Sequence, residues 1–279
     1  MCGISGIVSC QEADRSLLQK MNDVIAHRGP DGEGVYVNGG VALGHRRLAI
    51  IDLNEAANQP MIREQIVLVF NGEIYNYLEL KAELQKLGHS FSTQSDTEVI
   101  IEAYKQWGTE CVTRFNGMWS FALLDEDKGE LFCSRDRYGI KPFYYTEDEH
   151  GFRFGSELKQ LVNDSSNEVE SRVLEDYLVV GFEDHLNETF FKGIFKLPAG
   201  CNLIYSLGTH TFRISRYYKL DVDSSKDQEL DEAVADYGES FKNAVKLRLR
   251  SDVKVGTCLS GGLDSSSLAA IASSEYDGK

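Results

Sequence analysis

The sequence predicts an α+β fold in which two β-sheets are covered by helices, and three observations carry that expectation. Short apolar runs of strand length, bounded by glycine, asparagine or acidic turns, recur along most of the chain. Between them lie segments whose apolar residues fall at helical spacing. The composition, 42% hydrophobic and 26% charged over 279 residues, supplies a large core. Packing sheets under helices is the economical way to bury such a mixture.

Small and apolar residues from Cys2 to Ile7 suit a buried first strand. Asp14 to Ala26 reads as a helix, with Leu17, Leu18, Met21, Val24 and Ile25 on one face, and His27-Arg28-Gly29-Pro30-Asp31-Gly32 stops it in a turn-rich loop. Strand-like runs follow at 34–37, 41–44 and 48–53. The apolar run 66–70 ends at Asn71-Gly72, a dipeptide that predicts a tight turn with positive φ. Tyr77, Leu80, Leu84 and Leu87 have helical spacing, closed by Gly88. Ser95 and Glu98 stand at capping-box separation ahead of a second helix through Val99, Ile100, Ala103, Tyr104 and Trp107.

From Met118 the pattern turns to β, with runs at 118–124, 130–134, 142–145 and 152–155. Two short helical pieces, 157–162 and 172–180, precede a hairpin of 201–205 with 211–214 across Leu207-Gly208. The polar stretch 221–229 reads as a linker between a first domain, 2–220, and a second segment, 230–279. There, Leu230, Val234, Tyr237, Phe241 and Val245 mark a long amphipathic helix. An apolar strand, 253–259, then turns through 260–266 into another helix.

The net charge of −15 argues against nucleic acid or an anionic membrane as partner, because both need a basic face. No apolar run approaches the roughly 20 residues of a membrane span, and the N-terminus lacks the regions of a signal peptide. Cys2, Cys10, Cys111, Cys133, Cys201 and Cys258 show no paired spacing, which fits reduced thiols in a cytoplasmic protein. Nor do His27, His45, His89, His150, His185 and His210 form metal-ligand spacing with one another or with cysteine, so no metal site is expected from them.

Two constellations carry chemistry. Removal of Met1 would leave Cys2 with a free α-amine, so one residue would hold both a nucleophile and its base. A thiol of pKa about 8.5 can pass its proton to an amine of about 7.7–8.0 near neutral pH. A thiolate attacking an amide needs donors for the oxyanion, which the Asn71 carboxamide and the Gly72 N–H can supply. Arg47 can fork onto an α-carboxylate, and Asp96 can bind an α-ammonium. Alone, Asn71-Gly72 is an ordinary hairpin turn, Arg47 a solvated base and Asp96 a helix-start residue. Together they specify a free amino acid with a side-chain amide, for which L-glutamine is the obvious candidate.

The second constellation is the loop Ser260-Gly261-Gly262-Leu263-Asp264-Ser265-Ser266. Its glycines let the backbone approach phosphate oxygens, and the N–H groups of a helix start face the anion. Ser265 and Ser266 add hydroxyl donors, and Asp264 can contact a magnesium ion or a water on it. No lysine follows the glycines, so the loop suits pyrophosphate better than transfer of a γ-phosphoryl group.

The residues that carry these constellations, with several flanking motifs, resemble glutamine-dependent asparagine synthetases. The matching pieces are Met1-Cys2-Gly3-Ile4, His27 to Asp31, Gly44 to Asp52, Phe70 to Asn76, Ser95 to Glu98, Arg135 to Pro142, Ser156-Glu157 and Leu259 to Ser266, in the family's order along the whole chain. The resemblance implies a class II glutamine amidotransferase domain of the N-terminal-nucleophile hydrolase fold, a four-layer αββα sandwich. It implies that the opening of a parallel α/β ATP-pyrophosphatase domain follows. By the same resemblance Cys2 forms a glutamyl thioester and releases ammonia, with Asn71 and Gly72 as the oxyanion hole. Arg47, the main chain of Ile50 and Ile51, Glu73 and Asp96 would hold glutamine together with Asn71 and Gly72. Leu259 and Ser260 to Ser266 would hold ATP, with Mg²⁺, for the activation of L-aspartate that the ammonia then amidates. A homodimer through the first domain is common in the family.

The family's synthetase domain continues well beyond the length present here. The chain is therefore expected to be a fragment able to support the glutaminase half-reaction alone. The segment after about residue 225 is expected to be poorly buried or to lean on the first domain, because strand 253–259 calls for parallel neighbours. Two other readings remain at this point: amidation of a different carboxylate, such as a sugar acid, and a non-catalytic glutamine- or nucleotide-binding module.

Overall fold

Why these residues fold as they do is clearest from the alternation along the strands. In the computed structural model, which describes residues 1–148, 151–162, 168–221 and 228–275, strand β1 (Gly3–Val8) sends Ile4 and Val8 to one face and Ile7 to the other. Strand β5 (Ile66–Ile74) does the same, with Val67 and Val69 on one side and Leu68 and Phe70 on the other. A period of two with both faces apolar means a sheet buried on both sides. Both sheets are therefore covered twice, once by each other and once by helices.

The first sheet has six strands in the order β10-β8-β9-β1-β3-β2, and the second six in the order β12-β11-β7-β6-β5-β4. Every paired ladder in them is antiparallel. The strands of the first sheet after β1 are β2 (Gly32–Asn38), β3 (Val41–Arg47), β8 (Tyr144–Asp148), β9 (Gly151–Gly155) and β10 (Ile194–Lys196). The second sheet holds β4 (Met61–Arg63), β5, β6 (Gly117–Asp125), β7 (Glu130–Arg135), β11 (Cys201–Ser206) and β12 (Thr211–Arg216). Helix α1 (Arg15–Asp23) packs Leu18 and Met21 on the outer face of the first sheet, against Ile7 and Ala42. Helices α2 (Tyr77–Lys86) and α3 (Asp96–Trp107) cover the outer face of the second, where Leu80, Leu84, Val99 and Ile100 meet Phe70 and Phe121. The result is the four-layer αββα sandwich.

Close approach of the layers makes some glycines irreplaceable. A Cβ on Gly6, in the middle of β1, would stand 2.0 Å from the ring of Phe154, its cross-strand partner. Gly6→Ala is expected to cost about 1–3 kcal/mol by overpacking, seen as a lower midpoint in urea unfolding. An unchanged midpoint would mean that the ring can move aside.

Several sequence expectations are corrected. Residues 48–53 form an irregular loop, because the chain there wraps the Arg47 guanidinium: Asn54 O and Asn58 Oδ1 accept from it at 3.0 and 2.6 Å, and Asp52 O accepts as well. Asn71-Gly72 is no turn, since both residues continue β5 opposite Ser120 and Trp119 of β6. Gly72 is needed for room, because a Cβ there would lie 2.2 Å from Met118 O. Only half of the capping box forms: Ser95 Oγ accepts the Thr97 N–H at 3.1 Å, whereas Glu98 turns back to the N–H groups of Ser92 and Thr93. In the last hairpin the left-handed residue is His210, φ 52°.

Helix α4 (Ser171–Val180) precedes the second segment, in which α5 (Leu230–Arg248) and α6 (Leu263–Glu275) are helical as anticipated. Residues 253–259 form no strand, and no strand among the described residues runs beside them. An isolated parallel strand leaves its backbone groups unpaired, so none forms. Leu230, Leu259 and Leu263 are largely exposed. Residues 222–227 of the expected linker, and His150, lie outside the described residues.

Candidate active site

The space between the sheets is filled by apolar side chains at its centre and opens at one end into a cavity of about 330 Å³. The strand alternation decides who faces it. Cys2 lies on the same side of β1 as Ile4 and Val8, Asn71 and Glu73 continue the row of Val67 and Val69, and His45 and Arg47 continue that of Val41 and Leu43. Three rows of core residues thus become, within two residues of their ends, three rows of polar ones. Cys2, Arg47, Ile50, Ile51, Asn71, Gly72, Glu73 and Asp96 all line this cavity.

Cys2 is half-buried, and its sulfur accepts the Leu48 N–H at 3.3 Å. Burial pushes its thiol up, while the Leu48 bond and the Lys141 charge act the other way. The Cys2 carbonyl is clamped by Arg28 Nε at 2.8 Å, and Arg28 is in turn held by Glu157 at 2.9 Å. Met1 is present and exposed at the rim, and its sulfur receives Lys141 Nζ at 3.2 Å.

Asn71 is 1% exposed, and neither its Oδ1 nor its Nδ2 has a partner among the described residues. A buried amide in that state forfeits about 1–3 kcal/mol. Gly72 completes the pair by the geometry of the strand. Its N–H points to the same edge of β5 as those of Phe70 and Ile74, which are bonded by Gln59 Oε1 at 2.6 Å and Asp96 Oδ2 at 2.9 Å. Strand β4 pairs only as far as Leu68, so at Gly72 that edge borders the cavity. His45 Nε2 donates to Phe70 O at 3.0 Å; burial pulls the ring's pKa down to about 3 and so keeps it neutral, with the Arg47 charge helping and the Phe70 bond opposing.

Asp96 opens α3 and is 5% exposed. Burial raises its carboxyl to about 7, with Glu73 adding to the rise and the Ile74 N–H opposing it. Glu73 is also pushed up by burial and drawn back by Lys141. Asp96 and Glu73 thus bring two carboxyl groups to the cavity lining, to which Arg47 and Lys141 add positive charge.

Sequence reasoning missed Lys141, Arg28 and Gln59. Lys141 is 4% exposed and lines the cavity, and burial lowers its pKa. Its signal was a lysine inside the apolar run Ile140-Lys141-Pro142-Phe143. Arg28 and Gln59 gave no local signal, since each acts by a bond to a strand remote in sequence.

The other set is not gathered into one pocket among the described residues: only Leu263 and Asp264 of it line a cavity, between α5 and α6. Leu259 to Leu263, Asp264 and Ser266 are exposed and Ser265 is half-buried. The loop does enter α6 through Gly261, φ 85°, and Ser260 Oγ lies 2.9 Å from Ser265 Oγ.

Both parts of the chain are similar to known proteins. The family described as glutamine amidotransferase domain matches residues 1–218, and the one described as asparagine synthase matches 236–279. A putative glutamine-hydrolysing asparagine synthetase of Methanocaldococcus jannaschii is 41% identical over 97% of this chain and 56% of its own length. Asparagine synthetase 3 of Bacillus subtilis is 36% identical over 99% of this chain and 46% of its own. The chain thus spans about half the length of these relatives. Among solved structures, a glutamine phosphoribosylpyrophosphate amidotransferase of B. subtilis superposes with a TM-score of 0.59 at 19% identity, over 98% of this chain and 64% of that one, a likeness of fold. No helix among the described residues is long and apolar enough to cross a membrane. With its sandwich domain matched from end to end, the chain belongs to the glutamine amidotransferase family.

Proposed function

We propose that the chain is the glutamine-hydrolysing part of an asparagine synthetase, with Cys2 as nucleophile. Once Met1 is removed, the α-amine of Cys2 takes the thiol proton and the thiolate attacks the side-chain carboxamide carbon of L-glutamine. The carbonyl electrons move onto oxygen, and Asn71 Nδ2 and the Gly72 N–H donate hydrogen bonds to that oxyanion. The amine returns its proton to the departing nitrogen, the C–N bond breaks, and ammonia leaves a glutamyl thioester that water hydrolyses to glutamate. Arg47 holds the α-carboxylate, Asp96 the α-ammonium, and the main chain of Ile50 and Ile51 with Glu73 the rest of the substrate. Lys141 favours the thiolate by its charge. The observation that supports this reading most is the unpartnered Asn71 carboxamide, buried in the cavity that Cys2 enters.

The glutaminase domain spans 2–220 in this reading, a linker 221–229, and an asparagine synthetase segment 230–279. ATP supplies the activation of the L-aspartate carboxylate in the whole protein. The donors at 260–266 fit a phosphate: the hydroxyls of Ser260 and Ser265 are adjacent, no atom crowds Gly261 within 4 Å, and α6 begins beside them. Leu259 would contact the nucleotide, and Asp264 is the carboxylate of that loop that would face Mg²⁺.

A diazoketone analogue of glutamine tests the assignment. One adduct per chain is expected, on Cys2, in molecules that lack Met1, and excess glutamine should protect. Labelling confined to the exposed Cys10 or Cys258 would refute it.

The pH dependence follows from Asp96. Its carboxyl must be ionised to receive the ammonium, and in the empty site it protonates near 7. KM for glutamine is therefore expected to rise as pH falls below 7, approaching tenfold per unit. Asp96→Asn should give a high KM that no longer varies with pH. A wild-type KM constant from pH 6 to 8 would remove Asp96 from that role.

A further inference from the structure

A bridge from the second segment reaches the wall of the glutamine pocket. Two residues past the end of α5, Arg250 forks onto Glu79 with contacts of 2.5 and 2.6 Å and donates to Tyr75 O at 2.6 Å. This anchor delivers Asp252 to the loop at 50–52. Asp252 Oδ2 accepts the Asp52 N–H at 2.7 Å, and the Asp252 N–H donates to Ile50 O at 3.0 Å. Ile50 and Ile51 line the cavity, and the carbonyl of Asp52 accepts from Arg47.

The loop needs such support. Asp52 has φ 53°, a left-handed conformation that a residue with a side chain keeps only where its surroundings hold it. From within the first domain it is held through its carboxylate, which accepts the Gln94 N–H at 2.8 Å and Asn54 Nδ2 at 2.7 Å. Asp252 adds the bond to its N–H, and comes from 200 residues further along the chain.

We infer that Asp252 is a positioning residue of the glutamine site, which keeps the 50–52 loop and the Arg47 beneath it in their pocket-lining arrangement. Docking of the second segment then sets the affinity for glutamine without taking part in the chemistry. The inference rests on the reading of the cavity as a glutamine site.

The test compares Asp252→Ala and Asp252→Asn with the wild-type chain. Asp252→Ala is expected to raise KM for glutamine about tenfold, the effect of one charge-assisted hydrogen bond, with kcat within twofold. Asp252→Asn keeps an oxygen to accept the Asp52 N–H and should restore KM to near wild type, which a merely destabilising change would not do. Hydrogen exchange at the Asp52 amide should accelerate in Asp252→Ala alone. An unchanged KM, or a fall in kcat at constant KM, overturns the inference. If the wild-type chain turns over no glutamine, the functional reading has failed, and the exchange rate at Asp52 still decides whether Asp252 holds the loop.

Discussion

Cys2→Ala is expected to abolish glutamate release while leaving the sandwich intact. The sulfur is the only thiol that lines the cavity among the described residues, and the hydroxyls and amine beside it are weaker nucleophiles at neutral pH. What survives is the contribution of the oxyanion donors and of binding, on the order of 10³–10⁴ over water in enzymes that have lost a nucleophile. The structural cost is small, since the thiol makes only weak bonds to Leu48, accepting its N–H at 3.3 Å and donating to its carbonyl at 3.5 Å. Binding of glutamine, followed by calorimetry, should persist, because Arg47 and Asp96 stand apart from the sulfur. Hydrolysis retained in the variant would refute the nucleophile assignment. The same mechanism requires the α-amine of Cys2, so a chain with an uncleavable extension ahead of Cys2 should also be silent despite an intact thiol.

Much of this site was legible because its chemistry is local. Cys2 stands out as a thiol that removal of Met1 would set beside an amine, and Arg47, Asn71 and Asp96 are recognisable by what their side chains can hold. The strands and helices followed from periodicity wherever burial was two-sided or one face was apolar. Local preference failed where a longer-range contact outweighed it. Asn71-Gly72 favours a turn, yet nine residues of β5 pair with β6 from Ile66 to Ile74, and the ladder outweighs two residues' φ preference. Residues 48–53 are apolar like a strand, but Arg47 draws the Asp52 and Asn54 carbonyls around its guanidinium. The edge strands β4 and β10 have only three residues each, too few to show a period. Lys141 reaches Met1 across 140 residues of chain, a meeting that no spacing rule could foresee. The strand expected at 253–259 failed for the converse reason, because its pattern was right and its neighbours are missing among the described residues.

Asn71→Leu should separate activity from stability in opposite directions. Leucine keeps the branching of asparagine at Cγ but is larger, and the cavity that Asn71 lines has room for the added volume. The substitution removes the Nδ2 donor, and loss of one oxyanion donor lowers kcat about 10²–10³-fold, or roughly 2.7–4 kcal/mol of transition-state stabilisation. KM should change little, because the Michaelis complex has not yet developed the charge that Nδ2 meets. Stability should rise, since an amide with both polar atoms buried and unpartnered gives way to an apolar group. Urea unfolding and steady-state kinetics on the same preparation read both effects. Asn71→Asp should be worse than leucine for catalysis, because a carboxylate there would repel the oxyanion. An enzyme whose kcat falls only in step with its stability would show that Asn71 supports the fold. One that loses activity while gaining stability places the cost of that buried amide in catalysis.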